Sequence, residues 1–154
     1  MKVMITGAAG YIGSVVCKMA KAMNWYVVAI DPVKPSHNYF DNYIECTAGS
    51  SIIPEMLTIG EINKIFHLGA IASVPDSMKH PAKYYNKNTA DTAMLLDNLQ
   101  AMNWRGHIVF SSTAAVYGDQ SVPCTENMEL NPINPYGHSK LMCEQIIKDV
   151  ATYY

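Results

Sequence analysis

The sequence predicts an α/β chain built on a doubly wound parallel sheet of about five strands. Three observations predict it. Short apolar runs alternate with helical stretches along the whole chain. The runs are β-branched and too short to be helices, as in Tyr26–Ile30 and His107–Ser111. The first run leads directly into closely spaced glycines that open a helix. Strands alternating with helices imply right-handed βαβ crossovers, helices on both faces and a ligand crevice at the carboxyl ends of the strands.

The elements follow in order. Val3–Thr6 is the first strand, and Ser14–Met23 a helix with an apolar stripe of Val15, Val16, Met19, Ala20 and Met23. Tyr26–Ile30 is the second strand and ends at Asp31-Pro32. Pro32–Asn42 is polar with two prolines and reads as a loop; Tyr43–Cys46 reads as a short third strand. Pro54–Gly60 reads as a short helix and Lys64–Leu68 as the fourth strand. Pro81–Asn103 is the longest helical pattern, striped by Thr92, Leu95, Leu96, Leu99 and Met102. His107–Ser111 is the fifth strand, Ser121–Pro135 a proline-rich loop, and Tyr136–Tyr153 a closing helix striped by Cys143, Ile146, Ile147 and Val150. No internal repeat is expected.

Composition bounds the function. The 154 residues fit one domain spanning 1–154, and 49% hydrophobic residues supply a core. Charged residues are only 16%, against about 25% in ordinary domains, so either the surface is unusually polar and neutral or part of it is covered by something else. A net charge of -2 without a basic run argues against nucleic acid as a partner. No apolar run is long enough to span a bilayer, and glycines interrupt the apolar N-terminus that would otherwise resemble a signal peptide. Cys17, Cys46, Cys124 and Cys143 form no CxxC pair and no metal-ligand spacing with histidine. They read as buried or partly buried free thiols of a reducing compartment, which implies a cytoplasmic location and no metal.

Two segments carry chemistry. Thr6-Gly7-Ala8-Ala9-Gly10-Tyr11-Ile12-Gly13 sits between a strand and a helix. Gly7 allows a tight turn, Gly10 lets a pyrophosphate approach the backbone, and Gly13 lets the helix pack closely. The anion then meets free N–H groups at the helix N-terminus. A plain turn is the competing reading. Asp31 follows Gly13 by 18 residues at the end of the second strand, where a carboxylate accepts bonds from ribose hydroxyls and repels a 2′-phosphate, favouring NAD over NADP. A loop cap before Pro32 is the alternative.

Pro135-Tyr136-Gly137-His138-Ser139-Lys140 opens the last helix. Residues i and i+4 share a face, and a cation beside a phenol lowers its pKa, so Tyr136 with Lys140 can make a base. The spacing alone is common. Ser111, Ser112 and Thr113 add hydroxyls at the ligand-binding edge of the fifth strand. His67 reads as a buried strand histidine and His138 as a solvated one, while Tyr84, Tyr85, Tyr153 and Tyr154 read as packing or interface residues.

Together these segments, with His67-Leu68-Gly69-Ala70, Ser73 to Pro81, Tyr84–Thr89 and Phe110–Gly118, resemble the extended short-chain dehydrogenase/reductase family, and within it the nucleotide-sugar epimerases. The resemblance covers the whole chain but only the family's first half. It implies a Rossmann-type fold and bound NAD. Tyr136 would be the catalytic base, Lys140 would anchor the nicotinamide ribose and tune Tyr136, and Thr113 would bind the sugar oxygen. Cofactor contacts would fall to Gly7, Gly10, Tyr11, Ile12, Gly13, Asp31, Leu68, Ala70, Asn88, Ser111, Tyr136 and Lys140. In such enzymes the tyrosine removes the 4-hydroxyl proton while C4 gives hydride to NAD; the keto sugar turns over and takes the hydride back on its other face.

Thr113-Ala114-Ala115 lacks the acid that the similar sugar dehydratases place after this threonine, so a UDP-hexose 4-epimerase fits better. Thr47 stands where the family often has an adenine-contacting Asp, and Ala72 where some epimerases carry Lys. The family's C-terminal substrate lobe has no counterpart here. That leaves two further readings: an NAD-binding module without sugar turnover, and a minimal oxidoreductase. The resemblance also implies a homodimer through helices 81–103 and 136–154.

Overall fold

A computed structural model describes residues 1–53, 55 and 62–153. Five parallel strands form one sheet: β1 (Lys2–Thr6), β2 (Tyr26–Ile30), β3 (Asn42–Ile44), β4 (Lys64–His67) and β5 (His107–Phe110), in the order β3-β2-β1-β4-β5. Each expected strand is present within two residues of its expected ends. The central strands are apolar on both faces, as a covered parallel sheet requires: Val3, Met4, Ile5, Val27, Ala29 and Ile65 are fully buried.

The chain divides into two compact units, described separately. Unit 1 comprises Met1–Ala70 and Asp97–Ser111; unit 2 comprises Ile71–Leu96 and Ser112–Tyr154. In unit 1, α1 (Tyr11–Ala22) buries Gly13, Cys17 and Ala20 against Val3, Ile5, Val27 and Ala29. This corrects the expected stripe. Of the five residues assigned to it, Ala20 is buried and Val16 half-buried, but Val15, Met19 and Met23 face outward. Small side chains form the seam because the helix lies close to the strands, and hydrophobicity alone does not distinguish seam from flank.

The helix ends carry a short repeat, where none was expected. Ala-Met-Asn-Trp occurs at 22–25 and again at 101–104. In both copies the asparagine takes a left-handed conformation, φ 56° at Asn24 and 53° at Asn103. The tryptophan N–H then bonds back to the carbonyl five residues earlier, Trp25 to Ala20 and Trp104 to Leu99, both at 3.0 Å. These are Schellman-type stops with asparagine in the place usually taken by glycine.

Unit 2 departs from the expected single helix over Pro81–Asn103. Two short helices lead in: α2 (Val74–Lys79), which the sequence reading missed, and α3 (Pro81–Tyr84). Ser73 caps α2 by accepting from the Asp76 N–H at 3.3 Å; six residues are too few to show a period. A π-helical segment, Tyr85–Ala90, then precedes α4 (Asp91–Ala101). Thr92, Leu95, Leu96 and Leu99 of the expected stripe are buried, and Met102 is half-buried. The last helix, α5 (Pro135–Tyr153), matches its expected span. Of its stripe only Cys143 is fully buried. Contrary to expectation one thiol, Cys124, is exposed. The short helix expected over Pro54–Gly60 lies outside the described residues apart from Glu55. Among the described residues no helix is long and apolar enough to cross a membrane.

The paired stops give a direct test. Asn24→Ala or Asn103→Ala forces a Cβ-bearing residue without a locally bonding side chain into the left-handed region, and each is expected to cost about 1 kcal/mol. Asn→Gly at either position is expected to change stability by less than about 0.5 kcal/mol. Urea denaturation of the four variants checks both values.

Candidate functional site

In unit 1 the glycine turn is a backbone cradle with no room for side chains at two positions. Gly7 has φ +72°, and a Cβ on it would lie 2.7 Å from the Gly69 nitrogen. A Cβ on Gly13 would lie 2.0 Å from the Gly7 carbonyl oxygen. Gly10 begins α1 in an extended conformation and contributes no capping side chain. The first-turn N–H groups of α1 therefore have neither an intrahelical carbonyl nor a side-chain cap at Gly10, and Tyr11 and Ile12, the first helical residues, are exposed beside them.

Asp31 is tied into this turn. One carboxylate oxygen accepts from the Ala9 N–H at 3.0 Å and the other from Val33 N–H at 2.9 Å. The second bond is the loop cap that the sequence left open, so capping and a place beside the glycine turn coexist. Asp31 remains 9% exposed, and each oxygen keeps a second lone pair.

Thr6 fastens the turn to the end of β4. Its Oγ1 accepts from the N–H groups of Leu68 and Gly69 at 3.2 and 3.1 Å. With both lone pairs engaged, its hydroxyl hydrogen goes to His67 Nδ1 at 2.8 Å. His67 is a buried strand histidine, as expected. Leu68 is half-buried and Ala70 exposed at the carboxyl end of β4. Ser111 prolongs β5 through its N–H to His67 O at 3.1 Å.

His37, which sequence reasoning missed, also meets the turn. Its Nε2–H donates to the Ala8 carbonyl at 3.0 Å, and its Nδ1 accepts from Tyr39 N–H at 3.2 Å. Its ring packs on Tyr39 and Phe40. The only sequence signal was the local run of aromatics.

In unit 2, Asn134 caps α5 by accepting from the Gly137 N–H at 2.8 Å, with Pro135 in the first helical position. That fixes Tyr136 in the first turn, half-buried, with its ring edge-on to Tyr84 at 6.3 Å. Gly137 is bare because a Cβ there would lie 2.7 Å from the Ala115 carbonyl. This close approach seats a 3-10 turn, Ala114–Tyr117, against the start of α5. Thr113 caps that turn, accepting from Ala115 N–H at 3.2 Å and keeping its own proton to donate. Ser112 bonds Glu144 of α5. His138 is exposed, as expected.

Lys140 lies one turn beyond Tyr136 on the same face and is only 3% exposed. Burial lowers its pKa from 10.5 to about 8, and nearby Cys143 and Glu144 partly oppose this. The amine is still mostly protonated at neutral pH.

Asn88, expected as a cofactor contact, is bonded within unit 2. It is buried; its Oδ1 accepts from Ile71 N–H at 2.9 Å, and its Nδ2 donates to Ile71 O at 3.1 Å and Ser139 Oγ at 3.0 Å. Ser139 Oγ donates in turn to the Tyr136 carbonyl at 2.8 Å. Thr89, also on the π-helical segment, donates to Ser139 O at 3.2 Å.

Two predictions follow from these contacts. Thr6→Val removes the acceptor of two N–H groups and the donor to buried His67; it is expected to cost about 2–4 kcal/mol, read by urea denaturation. Lys140 binds its proton less tightly folded than unfolded, so its burial penalty is complete below about pH 8 and is relieved as pH rises toward 10.5. The melting temperature of the native chain is therefore expected to gain on that of Lys140→Met between pH 8 and 10.

Comparison with known proteins agrees with this layout. Residues 3–154 match the model of the NAD dependent epimerase/dehydratase family. The chain is 38% identical over 157 residues to a UDP-glucose 4-epimerase of Lactobacillus helveticus, covering 96% of this chain and 46% of that protein. It is 36% identical to one from Dictyostelium discoideum, covering 97% and 47%. Its structure is similar to UDP-glucose 4-epimerase from Brucella ovis in complex with NAD, with a TM-score of 0.92 and 31% identity over 99% of this chain and 48% of that one. The chain thus spans about half the length of the relatives it matches. It has a Rossmann-like fold and belongs to the NAD dependent epimerase/dehydratase family.

Proposed function

We propose that the chain is the NAD-binding and proton-transferring part of a UDP-hexose 4-epimerase. The observation that carries this reading is Tyr136 at the start of α5 with buried Lys140 one turn on, in a chain similar to UDP-glucose 4-epimerases. The residues fit NAD: the cradle at Gly7 and Gly13 is one that a Cβ would fill, and Asp31 beside it offers acceptors for ribose hydroxyls. Bound NAD would supply a hydride acceptor at sugar C4.

The remaining roles belong to side chains. The first-turn N–H groups at Tyr11, Ile12 and Gly13 hold the pyrophosphate, with Leu68, Ala70 and Ser111 lining the strand ends. Thr113 donates its hydroxyl proton to the sugar oxygen and orients it. Tyr136 takes the 4-hydroxyl proton and later returns it. Lys140 places a cation one turn from Tyr136 and bonds the nicotinamide ribose. Asn88, through Ser139, holds the backbone at Tyr136. The chain lies in the cytoplasm and pairs with a second copy through the helical stretch 81–103 and α5. Exposed Met94 and Met142 on those helices support that pairing.

A second reading, NAD binding without sugar turnover by this chain alone, is favoured by its covering only about half of its relatives' length. Titration calorimetry and product analysis separate the readings. The chain is expected to bind NAD more tightly than NADP, and Asp31→Ala to weaken NAD about tenfold or more. With UDP-galactose and NAD it is expected to make no UDP-glucose unaided, and any turnover in a completed assembly is expected to be lost in Tyr136→Phe. No NAD binding would remove both readings; efficient epimerisation by the isolated chain would remove the second.

A further inference from the structure

In the glycine turn of unit 1 one peptide group is gripped at both ends. The neighbouring groups bond to backbone. Ala8 N–H donates to the Ile30 carbonyl at 3.3 Å, and Gly10 N–H to the Gly7 carbonyl at 3.1 Å. The Gly10 carbonyl accepts from Ser14 N–H at 2.9 Å. The peptide joining Ala8 to Ala9 is held by side chains instead. Its N–H donates to Asp31 Oδ2 at 3.0 Å, and its carbonyl accepts from His37 Nε2–H at 3.0 Å. In a trans peptide these two groups point opposite ways. Asp31 and His37 together therefore fix the plane of this amide.

That plane matters to an anion at the start of α1. A carbonyl oxygen turned toward a helix N-terminus opposes the positive end of the dipole there. Asp31 holds only the N–H end, and its carboxylate also caps Val33 and faces the ribose hydroxyls in the function proposed above. His37 holds the oxygen end and is itself held by the loop that carries it. Its Nδ1 accepts from Tyr39 N–H at 3.2 Å, and its ring stacks on Tyr39 at 5.3 Å and meets Phe40 edge-on at 5.9 Å. Phe40 packs in turn on Tyr43 at 6.0 Å, and the Tyr43 hydroxyl donates to the Asp31 carbonyl at 3.0 Å. Lys18 of α1 lies over the Tyr39 ring, 5.9 Å from its centre. The loop between β2 and β3 is thus anchored on α1, on β3 and on the main chain of Asp31. From that anchorage it delivers one N–H to the turn.

We propose that His37 is a positioning residue for NAD. It holds the Ala8–Ala9 amide with its oxygen turned away from the pyrophosphate and its N–H on Asp31. It acts through Ala8 and touches no reacting atom. The inference rests on the NAD reading given above.

Two conservative replacements separate the two nitrogens. In His37→Gln the amide nitrogen can stand near the place of Nε2 and donate to Ala8, but nothing accepts from Tyr39. In His37→Asn an oxygen replaces Nδ1 and accepts from Tyr39, but no donor reaches Ala8. His37→Leu removes both bonds. Titration calorimetry of the whole chain is expected to show NAD bound roughly fivefold or more weakly by His37→Leu and His37→Asn. His37→Gln is expected to restore affinity to within about twofold of native. Amide hydrogen exchange at Ala9 is expected to quicken in the Leu and Asn variants and not in Gln. Circular dichroism checks that each is folded. Native affinity in His37→Leu, a Gln variant no better than Leu, or an Asn variant as good as Gln would overturn the proposal. If His37→Leu unfolds, ¹⁵N NMR of the native imidazole decides. Nε2 is expected to carry a slowly exchanging proton with and without NAD; fast exchange of that proton in the NAD complex would overturn the proposal. If the native chain binds no NAD, the functional reading falls by itself. The grip on the amide is then judged by Ala9 exchange, and unchanged exchange in His37→Leu would overturn it.

Discussion

The carbonyl oxygen of Gly7 leaves no space for a carbon on Gly13, and the rest of unit 1 is arranged around that contact. A Cβ there would stand 2.0 Å away, well inside any van der Waals distance. The first turn of α1 is thereby pressed against the end of β1, and small residues continue the seam through Cys17 and Ala20. The same closeness recurs where Gly7 meets Gly69, so the loop after β4 can approach and be bonded by Thr6. Unit 2 uses the same device at Gly137 against Ala115 and at Gly118 against Asn131. In each place backbone approaches backbone with no room for a side chain between.

Polar groups hold what the glycines bring together. Thr6 spends all its hydrogen-bonding capacity on Leu68, Gly69 and His67. Asn88 ties unit 2 together, joining Ile71, the π-helical segment and Ser139 of α5. Its carbonyl is bonded in turn by Thr92 and Cys143. Among the described residues no buried side-chain nitrogen or oxygen is left without a partner. Such networks are costly when broken and rigid when complete. That is the environment in which a buried lysine can keep a fixed position below Tyr136 despite its burial penalty.

The strands and the two chemical segments were legible because each has a strong local cause. β-branched runs make strands, a glycine-rich turn follows from backbone sterics, and Tyr136 and Lys140 share a face by helical period. The π-helical segment was not legible, since Tyr85–Ala90 reads as ordinary helix and its insertion is justified only by Asn88 and Thr89 reaching α5. The buried seam of α1 was misjudged because Val15 and Met19 are more hydrophobic than Gly13 and Cys17, while close approach selects for size. His37 was missed because its partner is the Ala8 carbonyl, 29 residues away.

The central claim is that the glycine cradle and Asp31 bind the adenosine and pyrophosphate of NAD. Backbone amide NMR of the chain during NAD titration tests it most directly. The account predicts saturable shifts at Ala8–Gly13, at Asp31 and Val33, and at Leu68–Ala70, with little change at β3 or at the helix stop of Asn103. Saturable shifts confined to other surfaces, or no shifts at millimolar NAD, would contradict it.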